Sequence, residues 1–430
     1  MDSGGSPPKS VRAGVVWAHA IEKAKDRHRT AAMRFMAVIR EVDGRYYTSA
    51  VTKDDPGEPI RVALAALAAL AVSQGIGRFA FTPILPMMQQ DSGLSVSQGG
   101  WLASANYAGY LAGALWAVRL RLPARTAIRI GLAVTGASTL AMALHDGFVL
   151  WVALRALAGI ASAWVLVFVS AWALERLTSL GRLSLGGVVY AGVGTGIVVA
   201  GVGCLALMIL HASSSAAWAA LGIVALAAAA IVWPIFGSAG AASGASPVRD
   251  SVHRGGAYWR MVICYGAYGF GYIIPATFLP VMAKQIVSDP LLFGWAWPVF
   301  GLAAVGSTLI AQRVRRSLRA VWAACHLVMA VGVVVPLVVP GLAGIIVAAL
   351  CVGGTFVVVT QVGLQEARAV AGTHARALIA AMTAAFALGQ IAGPLLAGYW
   401  VNATGGFAGA LMIAAALLVV SAIVLLRRQG

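Results

Sequence analysis

The chain has 430 residues, of which 60% are hydrophobic and only 10% are charged, and its formal net charge is +17. These proportions exclude an ordinary water-soluble domain and are typical of a polytopic membrane protein. The positive charge does not indicate nucleic-acid binding, because the arginines fall at the ends of apolar runs, where membrane topology and anionic lipid account for them.

The first 60 residues differ from the rest of the chain and hold eight of its 14 acidic residues. They contain no apolar run long enough for a membrane span or for the core of a signal peptide. We expect residues 1–60 to be either a cytoplasmic extension, disordered or amphipathic, or the product of a start codon assigned too early.

Beyond residue 60, apolar runs of about 18 to 25 residues predict twelve transmembrane helices. Their approximate bounds are 62–88, 96–118, 126–144, 148–174, 183–208 and 215–236, then 258–283, 291–311, 318–337, 341–364, 376–400 and 405–426. A stretch rich in Gly, Ala and Ser over 237–257 divides them six and six, as a cytoplasmic linker would. The sequence therefore predicts an all-α membrane protein of two six-helix parallel repeats, over 61–236 and 258–430.

A short sequence word occurs twice, 194 residues apart, as Gly75-x-Gly77-x7-Leu85-Pro86-x-Met88 and Gly269-x-Gly271-x7-Leu279-Pro280-x-Met282. The same offset pairs seven more residues with an identical residue 194 positions later. The first members of these pairs are Gly100, Trp101, Arg119, Arg121, Arg125, Gly159 and Arg182. Twelve identities at one unbroken offset indicate duplicated halves, and membrane proteins of that kind usually hold their site between the halves.

The arginines give the orientation, because cationic loops stay on the cytoplasmic side. One set of alternate loops, together with the C-terminus, holds Arg119, Arg121, Arg125, Arg129, Arg176, Arg182, Arg249, Arg254, Arg260, Arg313, Arg315, Arg316, Arg319, Arg368, Arg376, Arg427 and Arg428. The other set holds only Lys284. We expect a multi-pass protein of the cell inner membrane with both termini in the cytoplasm.

Arg78 lies near the middle of the first predicted span, roughly 16 Å from either end of the run at 1.5 Å per residue, which is too deep for its side chain to reach water. A mid-helix arginine costs about 2.5 to 3.5 kcal/mol, so it needs a wet cavity, a cluster of carbonyls or an anion. Gln74, Arg78 and Thr82 follow at a spacing of four and predict a polar stripe. No Asp or Glu lies inside the twelve runs. We therefore favour a ligand site over a purely structural brace.

Other polar residues predicted inside the membrane are fewer. Arg155 lies about 12 Å into the fourth span, where a ligand role and snorkelling to the surface are equally plausible. Tyr265, Tyr268 and Tyr272 share one face of the seventh span, and the repeat offset pairs Gln74 with Tyr268 and Arg78 with Tyr272. Gln390 adds an amide in the eleventh span. His326 is more typical of a buried core residue than of a proton relay.

The chain resembles the major facilitator superfamily, and within it the YbfB/YjiJ branch, from about residue 61 to the C-terminus. The resemblance rests on GIGRFAFTPILPMMQ in the first span, GWLASANYAGYLAGAL in the second, YGFGYIIPATFLPVMA in the seventh and GQIAGPLLAG in the eleventh. Arg155-x-x-x-Gly159-x-x-x-Ala163 is similar to a superfamily motif in which Gln normally stands where this chain has Ala158. The resemblance implies a rocker-switch carrier whose spans 1, 4, 7 and 10 line a central cavity.

We predict a secondary transporter of a small organic solute, with an anion or zwitterion favoured because a carboxylate would neutralise Arg78. The predicted substrate-binding residues are Gln74, Arg78, Thr82, Arg155, Tyr265, Tyr268, Tyr272 and Gln390. An exporter of amphipathic or aromatic compounds is the alternative, and a non-transporting sensor or scaffold is an alternative of another class. We expect no catalytic, metal or cofactor site, a monomer in the lipid bilayer, and leave a coupling ion open.

Overall fold

The computed structural model describes residues 57–117, 120, 122–144, 147–238, 255–311, 316–371 and 375–427, the side chains of 375 and 376 excepted. Most of the predicted extension over 1–60 and of the predicted linker over 237–257 lies outside these residues. Pro59–Gly430 form one compact unit. The division of that unit into bundles with limits at 236 and 258 stays a prediction.

The regular structure of the described residues is helical throughout. The α-helices are α1 (Glu58–Leu70), α2 (Phe81–Asp91), α3 (Val96–Ala117), α4 (Ala124–Ala141), α5 (Phe148–Ser179), α6 (Gly186–Ile209), α7 (Ser214–Val232), α8 (Gly256–Ile286), α9 (Pro290–Phe293), α10 (Ala296–Ala311), α11 (Leu318–Val338), α12 (Leu342–Ala371), α13 (Ala375–Thr404) and α14 (Ala408–Leu426). A π-helical segment over Ala71–Ile76 follows α1, and 3-10 turns occupy Leu183–Leu185 and Ile235–Ser238.

These elements form twelve spans, as predicted. The first span combines α1, the π-helical segment and α2, the eighth combines α9 and α10, and each other span is one helix. Ten spans of the described chain are long and apolar enough to cross a membrane by composition alone. The other two, α3 and α4, are long enough but more polar, since α4 carries Arg125 and Arg129 near its start. The predicted all-α class is confirmed.

The sequence duplication is repeated in the packing of the helices. At Gly159 in α5, an added Cβ would lie 2.0 Å from the carbonyl oxygen of Asn106 in α3. At Gly353 in α12, it would lie 2.3 Å from the carbonyl oxygen of Phe300 in α10. Both members of the second pair stand 194 residues after those of the first. The two halves therefore bring corresponding spans together at the same backbone contact, which only glycine allows.

The halves meet each other through residues that are their own repeat counterparts. Thr82 Oγ1 donates a hydrogen bond of 2.7 Å to the carbonyl oxygen of Ala276, and Lys284 Nζ lies 3.3 Å from Gln90 Oε1. Each pair is separated by 194 residues. A contact between equivalent positions lies on the axis that relates the halves, so this axis passes between the first and seventh spans. We call the side of the molecule that carries Asp91 and Lys284 the Lys284 face.

Candidate functional site

The first span is broken in its middle, where a continuous helix was expected. Its π-helical segment ends at Ile76, residues 77–80 form turns, and α2 begins at Phe81. Pro83 explains part of the break, because proline lacks an N–H and its ring excludes the carbonyl four residues before it. Gly75 packs so closely on α6, the fifth span, that an added Cβ would lie 2.3 Å from Gly196 Cα. The break places Arg78 at an irregular piece of backbone, as functional π-bulges often do.

Arg78 is the centre of a hydrogen-bonded chain that joins both halves. Its side chain is buried, with 5% of the residue exposed. Nη1 donates to Gln74 Oε1 at 3.1 Å and Nη2 donates to Gln390 Oε1 at 3.1 Å. Gln74 Nε2 in turn donates to the carbonyl oxygen of Ser162 at 2.9 Å, while Gln390 Nε2 donates to Tyr272 Oη. Four of the predicted residues, on three spans, therefore meet in one network.

The hydrogen bonds of the Arg78 guanidinium go only to neutral groups among the described residues. Both side-chain hydrogen-bond partners are amides, and the Nε–H has no partner within the described part of the chain. The one acidic residue that is buried among the described residues is Glu366, which pairs with Arg319. A buried cation held only by neutral dipoles keeps most of its attraction for an anion.

Aromatic rings enclose the same centre. The guanidinium carbon of Arg78 lies 4.0 Å from the ring centroid of Tyr110 and 5.3 Å from that of Tyr107, within the range of cation–π attraction. Tyr272, which bonds to Gln390 of the same network, lies nearly parallel to Phe356 and to Phe386, at 5.6 and 5.7 Å between ring centroids. The buried centre therefore combines one cation with several aromatic rings.

Arg155 contacts the break in the first span rather than the side-chain network of Arg78. It is 2% exposed, and its Nη1 and Nη2 donate to the carbonyl oxygens of Gly77 and Arg78 at 3.1 and 2.9 Å. A regular helix would pair these carbonyls with the amides of the next turn, but Thr82 N–H instead bonds to the carbonyl of Phe79. Arg155 thus supplies the donors that the break removes, and it acts on Arg78 through the backbone.

The remaining predicted residues are close to the centre but are used differently. Tyr268 stacks on Tyr272 at 5.1 Å and donates its hydroxyl proton to the carbonyl of Phe356 at 2.6 Å. Tyr265 packs against Tyr268 at 5.4 Å and against Trp322, one layer further away. Thr82 is committed to the Ala276 carbonyl between the halves. Tyr265 and Tyr268 thus contribute aromatic packing beside Tyr272, and Thr82 contributes a contact between the halves. The side-chain network of Arg78 is formed by Gln74, Tyr272 and Gln390.

Sequence reasoning missed four rings and one carbonyl of the site. Tyr107 and Tyr110 stand three residues apart in the second span, and this helical spacing was a usable signal for a face that carries both phenols. Phe356, Phe386 and the Ser162 carbonyl had no such signal, because a phenylalanine in an apolar helix is ordinary and a backbone group leaves no trace in the sequence.

A family model described as "Uncharacterised MFS-type transporter YbfB" matches residues 70–426 of this chain. No curated protein matches the chain. Among solved structures, the chain is similar to one titled "Crystal structure of nucleoside transporter NupG (D323A mutant)", with a TM-score of 0.64 and 16% sequence identity over 85% of this chain and 98% of that one. At this identity the likeness shows the fold alone.

Proposed function

We propose a substrate class and a mechanism from the premise that this chain belongs to the YbfB family of MFS-type transporters, and so is a membrane transporter rather than an enzyme. The proposed substrate is a small organic anion or zwitterion, which binds at Arg78. The observation that carries this proposal is that a buried guanidinium is bonded only to neutral amides from opposite halves of the chain.

A bound carboxylate would compensate the Arg78 charge and could use its unbonded Nε–H. Gln74 and Gln390 hold the guanidinium in place, and each is fixed by its own second bond, to the Ser162 carbonyl and to Tyr272 Oη. A pre-oriented cation loses little side-chain freedom when the ligand binds, which favours affinity. Arg155 is the positioning residue, since it holds the carbonyl of Arg78 itself.

The proposed transport cycle is a rocking of the two six-helix bundles about Arg78. Bonds between the halves lie on the Lys284 side of the site, from Thr82 to the Ala276 carbonyl and from Lys284 to the Pro86 carbonyl. These bonds must break when the site opens to the Lys284 face, and they reform when the site opens to the opposite face of the molecule. The distribution of arginines supports an external Lys284 face, an inner-membrane location and cytoplasmic termini.

A second candidate is the export of aromatic or amphipathic compounds. The three parallel rings of Phe356, Tyr272 and Phe386 favour it, because such a stack offers a planar ring a ready neighbour. Competition separates the two candidates. Small carboxylates displace a bound substrate in the first, and lipophilic cations displace it in the second.

The proposal is tested by thermal unfolding of the purified protein against a library of small acids. We expect one or more acids to raise the melting temperature of the parent protein and to leave that of Arg78→Gln unchanged, because the charge that binds them is gone. Arg129→Gln is the matched control, since Arg129 is a half-buried arginine of α4 that takes no part in the Arg78 network and bonds to the carbonyl of Trp233. Equal stabilisation of the parent and Arg78→Gln would refute the anion site.

A further inference from the structure

A cavity lies between the halves at the Lys284 face, about 12 Å along the first span from Arg78 at 1.5 Å per residue. Its volume is about 270 Å³. Residues from the ends of the first, fifth and seventh spans and from the start of the eighth line it. Among them are Gln90, Asp91, His211, Lys284 and Ser288. The polar residues of both halves thus converge on one space that the Arg78 site does not use.

His211 enters this cavity from a backbone conformation that normally calls for glycine. Its φ is 53°, and within the described chain it is the one residue other than glycine with a positive φ. It follows α6 in a Schellman turn, in which Ala212 N–H bonds to the Leu207 carbonyl at 2.9 Å and His211 N–H bonds to the Met208 carbonyl at 3.0 Å. Side chains that hold such a conformation are concentrated at functional sites.

The other half of the molecule uses glycine at the equivalent position. Gly405 stands 194 residues after His211, has a φ of 78° and follows α13. Both halves therefore have a residue with a positive φ at this point, although Gly405 N–H bonds to the Val401 carbonyl at 2.8 Å and the turns differ in their hydrogen bonds. Histidine costs backbone stability at such a position, and its imidazole lines the same cavity as Lys284, which suggests that the side chain itself has a use.

Lys284 is a cation of the same cavity lining. Its Nζ donates to the carbonyl of Pro86 at 3.0 Å and to Gln90 Oε1 at 3.3 Å, which uses two of the three ammonium protons. Asp91 is the other charged residue of the lining, and its carboxylate accepts the backbone N–H of Ser214 at the start of α7. The lining residues that follow α8, including Ser288 and Phe293, are uncharged. No hydrogen bond to the His211 ring occurs among the described residues.

We propose that this cavity is a second ligand site, which binds a small carboxylate between Lys284 of one half and His211 of the other. The third Lys284 proton and an imidazole N–H both donate to the ligand, while Asp91 is held away by the α7 amide. A ligand held by both halves stabilises their contact at the Lys284 face.

The test uses the full-length protein in detergent with Arg78→Gln in the background, so that the central site cannot report. Acetate is titrated at constant ionic strength against chloride, and its apparent Kd is taken from the rise in melting temperature. We expect acetate to raise the melting temperature in a saturable way. If acetate gives no rise beyond that of chloride, the proposal is overturned.

Three further variants in the same background separate the ligand site from the stability of the turn. His211→Gly should raise the melting temperature without acetate, because glycine adopts a positive φ without strain, and yet weaken acetate binding at least tenfold. Lys284→Gln should also weaken it at least tenfold. Gly405→Ala, the matched control, should lower the melting temperature and leave acetate binding unchanged. If His211→Gly and Lys284→Gln bind acetate as tightly as their parent, the cavity is not the site.

Discussion

At the scale of single residues, the two buried arginines have the same charge but different hydrogen-bond partners. Arg155 donates to two carbonyls of the broken first span, whereas Arg78 donates to two side-chain amides. The sequence predicted both as intramembrane cations. It did not predict that Arg155 bonds to the backbone at residues 77 and 78, because that contact joins the first and fourth spans, which are far apart in the chain.

Arg155→Gln is expected to destabilise the protein by about 2 kcal/mol or more, since it leaves buried carbonyl groups of Gly77 and Arg78 without donors. The measurement is the thermal unfolding midpoint in detergent without any ligand. Arg155→Lys should recover part of the loss, because an ammonium can still reach one carbonyl. A variant that melts like the parent but no longer responds to small acids would make Arg155 a direct ligand for substrate instead.

At the scale of helices, the close crossing of α3 with α5 and of α10 with α12 depends on one glycine each. Gly159→Ala is expected to destabilise the protein by about 1–3 kcal/mol, since its Cβ would lie 2.0 Å from the Asn106 carbonyl oxygen and the helices must separate. Gly353→Ala should behave alike. Thermal unfolding of both variants measures the effect.

Gly306→Ala is the control for these variants, because Gly306 lies within α10 and a Cβ there would meet no atom within 4 Å. We expect its unfolding free energy to change by no more than about 0.5 kcal/mol. If Gly159→Ala were as stable as Gly306→Ala, the helix crossings would not require the close backbone contact that the duplicated glycines indicate.

Helix positions could be predicted well because their signal is local. The third span was expected over 126–144 and lies at Ala124–Ala141, and the sixth was expected over 215–236 and lies at Ser214–Val232. The interruption of the first span was not predicted. Pro83 marked it, but the same span also contains Pro86 inside an unbroken α2, so proline alone does not locate a break.

At the scale of the whole molecule, the duplication was the strongest sequence signal. It indicates the fold and also identifies residues that contact each other across the two halves. The 194-residue offset connects Thr82 with Ala276 and Gln90 with Lys284, which are contacts across the halves. The same offset pairs His211 with Gly405, although only the backbone angles show that both residues have a positive φ. The aromatic stack around Tyr272 could not be predicted, because it is assembled from single rings on three spans.

The central claim is that this transporter carries a small organic anion by means of Arg78. Its most direct test is the uptake of a radiolabelled acid, chosen as the one with the largest thermal stabilisation, by liposomes that contain the purified protein. We expect uptake faster than in protein-free liposomes, retained by Arg129→Gln and reduced to the protein-free rate by Arg78→Gln. Uptake by Arg78→Gln at the parent rate would contradict the role of Arg78, and a parent protein that moves no more acid than empty liposomes would contradict anion transport and favour a sensor or scaffold.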